Sequence, residues 1–155
     1  MQTKKHRLDR EAYITMHPVA FAIRVEKSYK AFVDDEIFDC TERKLLEVLR
    51  EYSQDALVYV FMPDHVHLIL QCSVDNKNVL DAVDMFKQKT GYMFYETDKS
   101  FVWHSSYYDH IIRDERDVYN QVMYILNNPV RAGLVEYWKE YKYKGSTVYD
   151  LNSWD

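Results

Sequence analysis

Met62-Pro63-Asp64-His65-Val66-His67-Leu68-Ile69-Leu70 is the stretch around which the chain organises itself. Pro63-Asp64 interrupts an apolar run at 57–61 and favours a turn. Beyond it the pattern alternates, with His65, His67, Ile69 and Gln71 on one side and Val66, Leu68 and Leu70 on the other. Such alternation marks a strand. The two runs therefore predict a hairpin or close antiparallel pair, with two imidazoles at i and i+2 on one face.

Working outward, residues 18–26 alternate Val19, Phe21, Ile23 and Val25 against Ala20, Ala22 and Arg24, which predicts a half-buried strand. Asp39-Cys40-Thr41-Glu42 has the form of an N-cap with Glu three residues on, and predicts the start of a helix carrying Leu45, Leu46, Val48, Leu49 and Tyr52. A second helix is predicted over 78–89, with Gly91 as its stop. A strand is predicted at 107–112. A third helix is predicted over 114–127, ended by Pro129. The order strand-helix-strand-strand-helix-strand, plus an extra helix, is the βαββαβ ferredoxin-like order of an α+β fold. Its antiparallel sheet is expected to carry helices on one face and leave the other open, with His65 and His67 on the open face.

The 155 residues suit one domain, 1–155, with a polar N-terminal arm at about 1–14 and a charged, aromatic tail at about 136–155. Cys40 and Cys72 have no zinc-ribbon spacing, and a reducing compartment is the simpler reading. No apolar run reaches the length of a membrane span or a signal peptide, so a cytoplasmic location is expected. The formal net charge of −5 argues against nucleic-acid binding, since phosphate neutralisation usually wants a basic surface. Local clusters remain: Lys4, Lys5, His6 and Arg7; Lys87 and Lys89; Lys139, Lys142 and Lys144.

A second block, Tyr124-Ile125-Leu126-Asn127-Asn128-Pro129-Val130-Arg131-Ala132-Gly133-Leu134-Val135, places a phenol and an amide four residues apart, on one helix face. Two imidazoles and an amide oxygen could hold a hard divalent cation beside a tyrosine nucleophile. From spacing alone, two such histidines are more often surface residues than ligands, and Tyr124 is more often a packed aromatic.

Three ordered blocks carry a resemblance that favours the chemical reading. They are Met62-Pro63-Asp64-His65-Val66-His67, Tyr107-Tyr108-Asp109-His110-Ile111-Ile112-Arg113-Asp114, and the Tyr124 block, with weaker agreement at 86–90 and at Gly145-Ser146. Together they resemble the Y1 transposases, the IS200-like HUH (His-hydrophobic-His) enzymes, and more closely the REP-associated tyrosine transposases, over about residues 19–146. The resemblance implies cleavage and rejoining of single-stranded DNA near hairpins. Tyr124 would form a 5′-phosphotyrosine link, and His65, His67 and Asn128 would hold Mg²⁺ or Mn²⁺. Lys87, Lys89, His110, Arg113 and Arg131 are the candidate DNA contacts. A monomer is favoured over a dimer. The family often has Gln where this chain has His104, which is read as an ordinary substitution.

Two other readings stand beside it. A non-catalytic or domesticated DNA-hairpin binder of the same fold would be expected to lack a ligand or the tyrosine, and all four residues are present. A nucleotide hydrolase of the histidine-triad type would want a third alternating histidine, where Ile69 stands.

Overall fold

A computed structural model of the chain describes residues 8–154; the basic cluster at 4–7 lies outside them. Four strands and two helices follow in the expected order. They are β1 (Val19–Val25), α1 (Asp35–Glu51), β2 (Gln54–Met62), β3 (His65–Cys72), α2 (Leu80–Thr97) and β4 (Trp103–Ile111). Then come α3 (Val118–Leu126), a short α4 (Asn128–Arg131) and a two-residue β5 (Lys144–Gly145). The sheet order is β4-β1-β3-β2-β5, and every neighbouring pair is antiparallel. Both crossovers return through a helix, so each helix packs back on the same face, as the α+β ferredoxin-like order requires.

β2 and β3 form the expected hairpin, with Met62 opposite His65 across the Pro63-Asp64 turn. The turn is pinned from two sides: Asp64 O accepts from Val25 N at 3.0 Å, and Pro63 O accepts from Phe32 N at 3.0 Å. The helix-covered face holds the larger core. Phe32, Phe61, Phe86, Phe101 and Trp103 meet there with ring centroids 5.1 to 6.4 Å apart, and edge-on contacts of this kind add to burial.

Several boundaries differ from the sequence expectation, each for a physical reason. α1 begins at Asp35, more than a turn before Asp39. Asp34 is the N-cap, accepting from Ile37 N at 2.9 Å, and Asp35 and Glu36 supply the acidic first turn that a helix dipole favours. Starting there also brings Phe38 into the core. The Asp39–Glu42 motif therefore lies inside the helix, where Thr41 Oγ1 bonds back to Ile37 O at 2.7 Å. α2 runs through Gly91 to Thr97, because Phe86, Thr90 and Phe94 continue its buried stripe. The third helix starts at Val118 and breaks at Asn127, where ψ is 0°. Pro129 then sits in the first turn of α4, a position proline tolerates.

The second face of the sheet is only half open. Over β2 its residues Val58, Val60 and Met62 are buried. α3 packs against β2 and β3 and contributes Val122, Ile125 and Leu126 to the core. Over β1 and β4 the same face carries exposed Arg24, Tyr108 and His110. α3 covers β2 because its hydrophobic side needs burial and the first face is already occupied by α1 and α2.

Segments before β1 and after α4 also pack against this framework. Within the expected polar arm, Arg10–Tyr13 is a turn of 3₁₀ helix. Tyr13 is fully buried and donates to Asp109 Oδ1 at 2.6 Å. In the tail, Trp138, Tyr141 and Tyr143 are buried. Tyr141 Oη donates to Phe61 O at 2.5 Å, and Tyr143 Oη donates to Asp35 Oδ1 at 2.9 Å. Tyr143 O accepts from Phe61 N, and β5 then pairs with Tyr59 and Val60. A side chain at position 145 would collide with Tyr59, whose oxygen lies 2.2 Å from where a Cβ would stand. Glycine is needed there so that the tail can approach the sheet edge.

Candidate active site

His65 and His67 project from the start of β3 toward the half-open face. Their ring centroids are 4.8 Å apart and the rings nearly perpendicular. Asp64, in the turn just before, holds His65 Nδ1 at 2.6 Å from its Oδ1. A carboxylate at Nδ1 favours the Nδ1–H tautomer and leaves the Nε2 lone pair available. His67 is pushed down to about 4, first by burial and then by the charges of His65, Arg24 and Arg131. At neutral pH it is an uncharged imidazole, the form that binds a metal.

The other half of the site comes from the α3–α4 joint. Tyr124 is 61% exposed near the end of α3. Asn128 opens α4, so the two stand on either side of the helix break and not on one continuous helix. Arg131 bridges them. Its guanidinium carbon lies 3.8 Å from the centroid of the Tyr124 ring. One nitrogen donates to Tyr124 O at 2.7 Å and to Asn128 Oδ1 at 3.3 Å. α3 packs against β2 and β3, so the α3–α4 joint lies on the sheet face that carries the His pair.

Among the described residues, no cluster of three or more His, Cys, Asp or Glu side chains could hold a metal. A third protein donor beside the His pair must therefore be of another kind. The Asn128 amide oxygen is such a donor, and its second lone pair is still available while it accepts from Arg131. Two imidazoles and an amide oxygen are a donor set that a divalent cation accepts.

The remaining candidates scatter. Lys87 turns toward β4, donating to His104 O at 2.9 Å and lying 5.1 Å from the Tyr107 ring centroid. Lys89 turns toward α1, 3.3 Å from Glu51. The two lysines therefore do not form one patch. His110 is exposed on the His-bearing face of β4, and Arg113 is exposed beyond the end of that strand. His104 has a local role: its Nδ1 accepts from Ser106 N at 3.1 Å, within the irregular stretch where the β1–β4 register shifts. Two residues of the site were not singled out from the sequence. The sequence marks Asp64 only as a turn former, and its position next to His65 is the available signal. Arg24 was read only as part of an alternating strand.

A sequence profile of the family described as "Transposase IS200 like" matches residues 14–128. The chain belongs to this family. A Haemophilus influenzae protein named as a REP-associated tyrosine transposase is 24% identical over 134 residues, covering 79% of this chain and 76% of that protein. A solved REP-associated tyrosine transposase bound to a REP hairpin shares the fold, with a TM-score of 0.78 and 18% identity over 92% of this chain and 82% of the other. A Deinococcus radiodurans protein described as a transposase is a more distant match, with a TM-score of 0.54 and 17% identity over 82% of this chain and 97% of the other. The family profile reaches from Ile14 to Asn128 and so takes in the His pair, Tyr124 and Asn128, but ends before Arg131. No helix among the described residues is long and apolar enough to cross a membrane.

Proposed function

We propose that this chain cleaves and rejoins single-stranded DNA beside a hairpin, with Tyr124 as the nucleophile. The observation that carries the reading is an exposed tyrosine, clamped by Arg131, near the end of a helix that packs against the strand bearing the pair of imidazoles. Family membership and the hairpin-bound relative support DNA hairpins as the substrate class.

The Tyr124 oxygen attacks the scissile phosphorus and loses its proton. A phosphorus–oxygen bond to the tyrosine forms as the bond to the 3′ oxygen breaks. That oxygen leaves as a 3′-hydroxyl after taking up a proton. The 5′-phosphotyrosine keeps the energy of the broken bond, so a second 3′-hydroxyl can reverse the step without ATP. His65, His67 and Asn128 would hold Mg²⁺ or Mn²⁺. When bound, the ion would supply charge stabilisation at the phosphoryl oxygens. Asp64 fixes the His65 ring. Arg131 fixes the Tyr124 ring and the Asn128 amide together, so the nucleophile is presented in one orientation.

The test is covalent capture. Labelled single-stranded hairpin DNA with unpaired flanks is incubated with Mg²⁺ or Mn²⁺ and resolved on a denaturing gel. A protein–DNA band in the wild type, lost in Tyr124→Phe and on chelation, is the expected result. Hairpin binding with no band under any metal would overturn the nuclease reading in favour of a non-catalytic binder.

A further inference from the structure

Asn127 is held twice to one acceptor. Its backbone N–H donates to Met123 O at 3.0 Å, and its side-chain Nδ2 donates to the same oxygen at 2.9 Å. Only the donor end of an amide can face a carbonyl, so the side chain has one orientation. The residue sits at φ −84° and ψ 0°, where an α-helix holds ψ near about −42°. α3 therefore stops here. An amide that seeks a nearby carbonyl is poorly placed inside a helix and well placed at its end.

The stop decides what becomes of the Tyr124 carbonyl. In a continuing helix its donor would be the N–H of Asn128, four residues on. The next backbone bonds of helical type instead join Arg131 N to Asn127 O and Ala132 N to Asn128 O, both at 3.0 Å, and pass Tyr124 O by. Pro129 does not account for this. A proline removes the bond to the carbonyl four residues before it, here that of Ile125. Tyr124 O is released by the turn at Asn127, and a guanidinium nitrogen of Arg131 takes it at 2.7 Å. In an unbroken helix Arg131 would stand about 10 Å further along the axis than Tyr124, whose carbonyl would be closed inside the backbone ladder. The break folds Arg131 back over the ring it clamps, with 3.8 Å from guanidinium carbon to ring centroid.

We infer that Asn127 is a positioning residue for the nucleophile: its side chain locks the α3–α4 joint, and the locked joint hands the Tyr124 carbonyl to Arg131. This role rests on the nuclease reading above and adds to it a residue that acts on Tyr124 through Arg131.

Two measurements test it. The first needs neither DNA nor metal: NMR records nuclear Overhauser effects between the Tyr124 ring protons and the Arg131 side chain. They are expected in the parent, lost in Asn127→Ala, and kept in Asn127→Ser, whose hydroxyl can still donate to a carbonyl four residues back. The second is the rate of covalent adduct formation at saturating hairpin DNA. Asn127→Ala should slow it about tenfold, as a misplaced reacting group does, with hairpin affinity unchanged, and Asn127→Ser should recover most of the rate. In an Arg131→Ala background the same Asn127→Ala change should alter the rate by less than about twofold, because the clamp it serves is already gone. A residue that only stabilised the fold would cost the same factor in both backgrounds. Overhauser effects absent from the parent or persisting in Asn127→Ala, or an equal loss of rate in both backgrounds, overturn the assignment. A parent that forms no adduct sinks the nuclease reading instead, and the Overhauser effects then decide the role of Asn127 on their own.

Discussion

Arg131 lies across the face of Tyr124, with its guanidinium carbon 3.8 Å from the ring centroid, while its nitrogen bonds the Tyr124 backbone carbonyl. A tyrosine so exposed would otherwise sample several rotamers. Stacking of this kind contributes roughly 0.5–1 kcal/mol at an exposed site, and the hydrogen bond adds direction. Arg131→Ala is expected to slow formation of the covalent DNA adduct by ten- to a hundredfold, an order-of-magnitude figure for a misplaced reacting group. Arg131→Lys should recover little, because an ammonium cannot both stack flat and bond two oxygens. The rate of adduct formation at saturating DNA measures this; a wild-type rate in Arg131→Ala would exclude the clamp.

Asp64 offers a second handle. Its carboxylate orients His65 through Nδ1, and loss of such a partner typically weakens metal binding about 10- to 100-fold. Asp64→Ala should therefore raise the Mn²⁺ concentration giving half-maximal cleavage by that factor. Titrating the metal at fixed DNA distinguishes this from a loss of DNA affinity, which would be measured without metal.

The His67 environment sets a pH dependence. Its folded value of about 4 lies below the ordinary 6.5. Between those values the unfolded chain binds the proton and the folded chain resists it, so stability rises with pH through that window and is undiminished above 6.5. Acidifying the metal-free protein from pH 6.5 to 4 should cost a few kcal/mol at this site. His67→Gln should flatten that part of the profile, measured by urea unfolding across the range.

The two glycines of the framework predict opposite signs. Gly145→Ala forces a methyl onto the Tyr59 ring and hydroxyl; overpacking of this kind costs about 1–3 kcal/mol and should lower Tm by several degrees. At Gly91 a methyl would meet Trp103 at 3.5 Å, an ordinary contact, inside a helix. Gly91→Ala should raise stability by about 0.5–1 kcal/mol. Calorimetry on both variants tests the pair.

The sheet was legible in the sequence because β1 and β3 alternate and β2 is an apolar run ended by a Pro-Asp turn, and the His65-Val66-His67 alternation puts both imidazoles on one side. What local pattern could not convey was competition. The local motif points to Asp39 as the cap, whereas the burial of Phe38 goes with a start at Asp34. Gly91 looks like a stop until Phe94 is seen to continue the stripe on its far side. The half-open face had the same origin: α3 needed a surface, and the sheet offered only one that was free. Within the site, His65, His67, Tyr124 and Asn128 stood out as chemistry at regular spacing. Arg24 and Asp64 did not, since their roles depend on which strand or turn lies beside the histidines, and register is a property of the assembled sheet.

The tail's docking on β2 bears on how the protein is made. Tyr59, Val60 and Phe61 take backbone partners from residues 143–145, some eighty positions later in the chain. As synthesis proceeds from the N-terminus, the β2 edge and the Phe38–Phe61 contact emerge long before the segment that covers them. The nascent chain must therefore hold an apolar strand edge uncovered until residues 143–145 leave the ribosome, and chaperone shielding matters most during that interval.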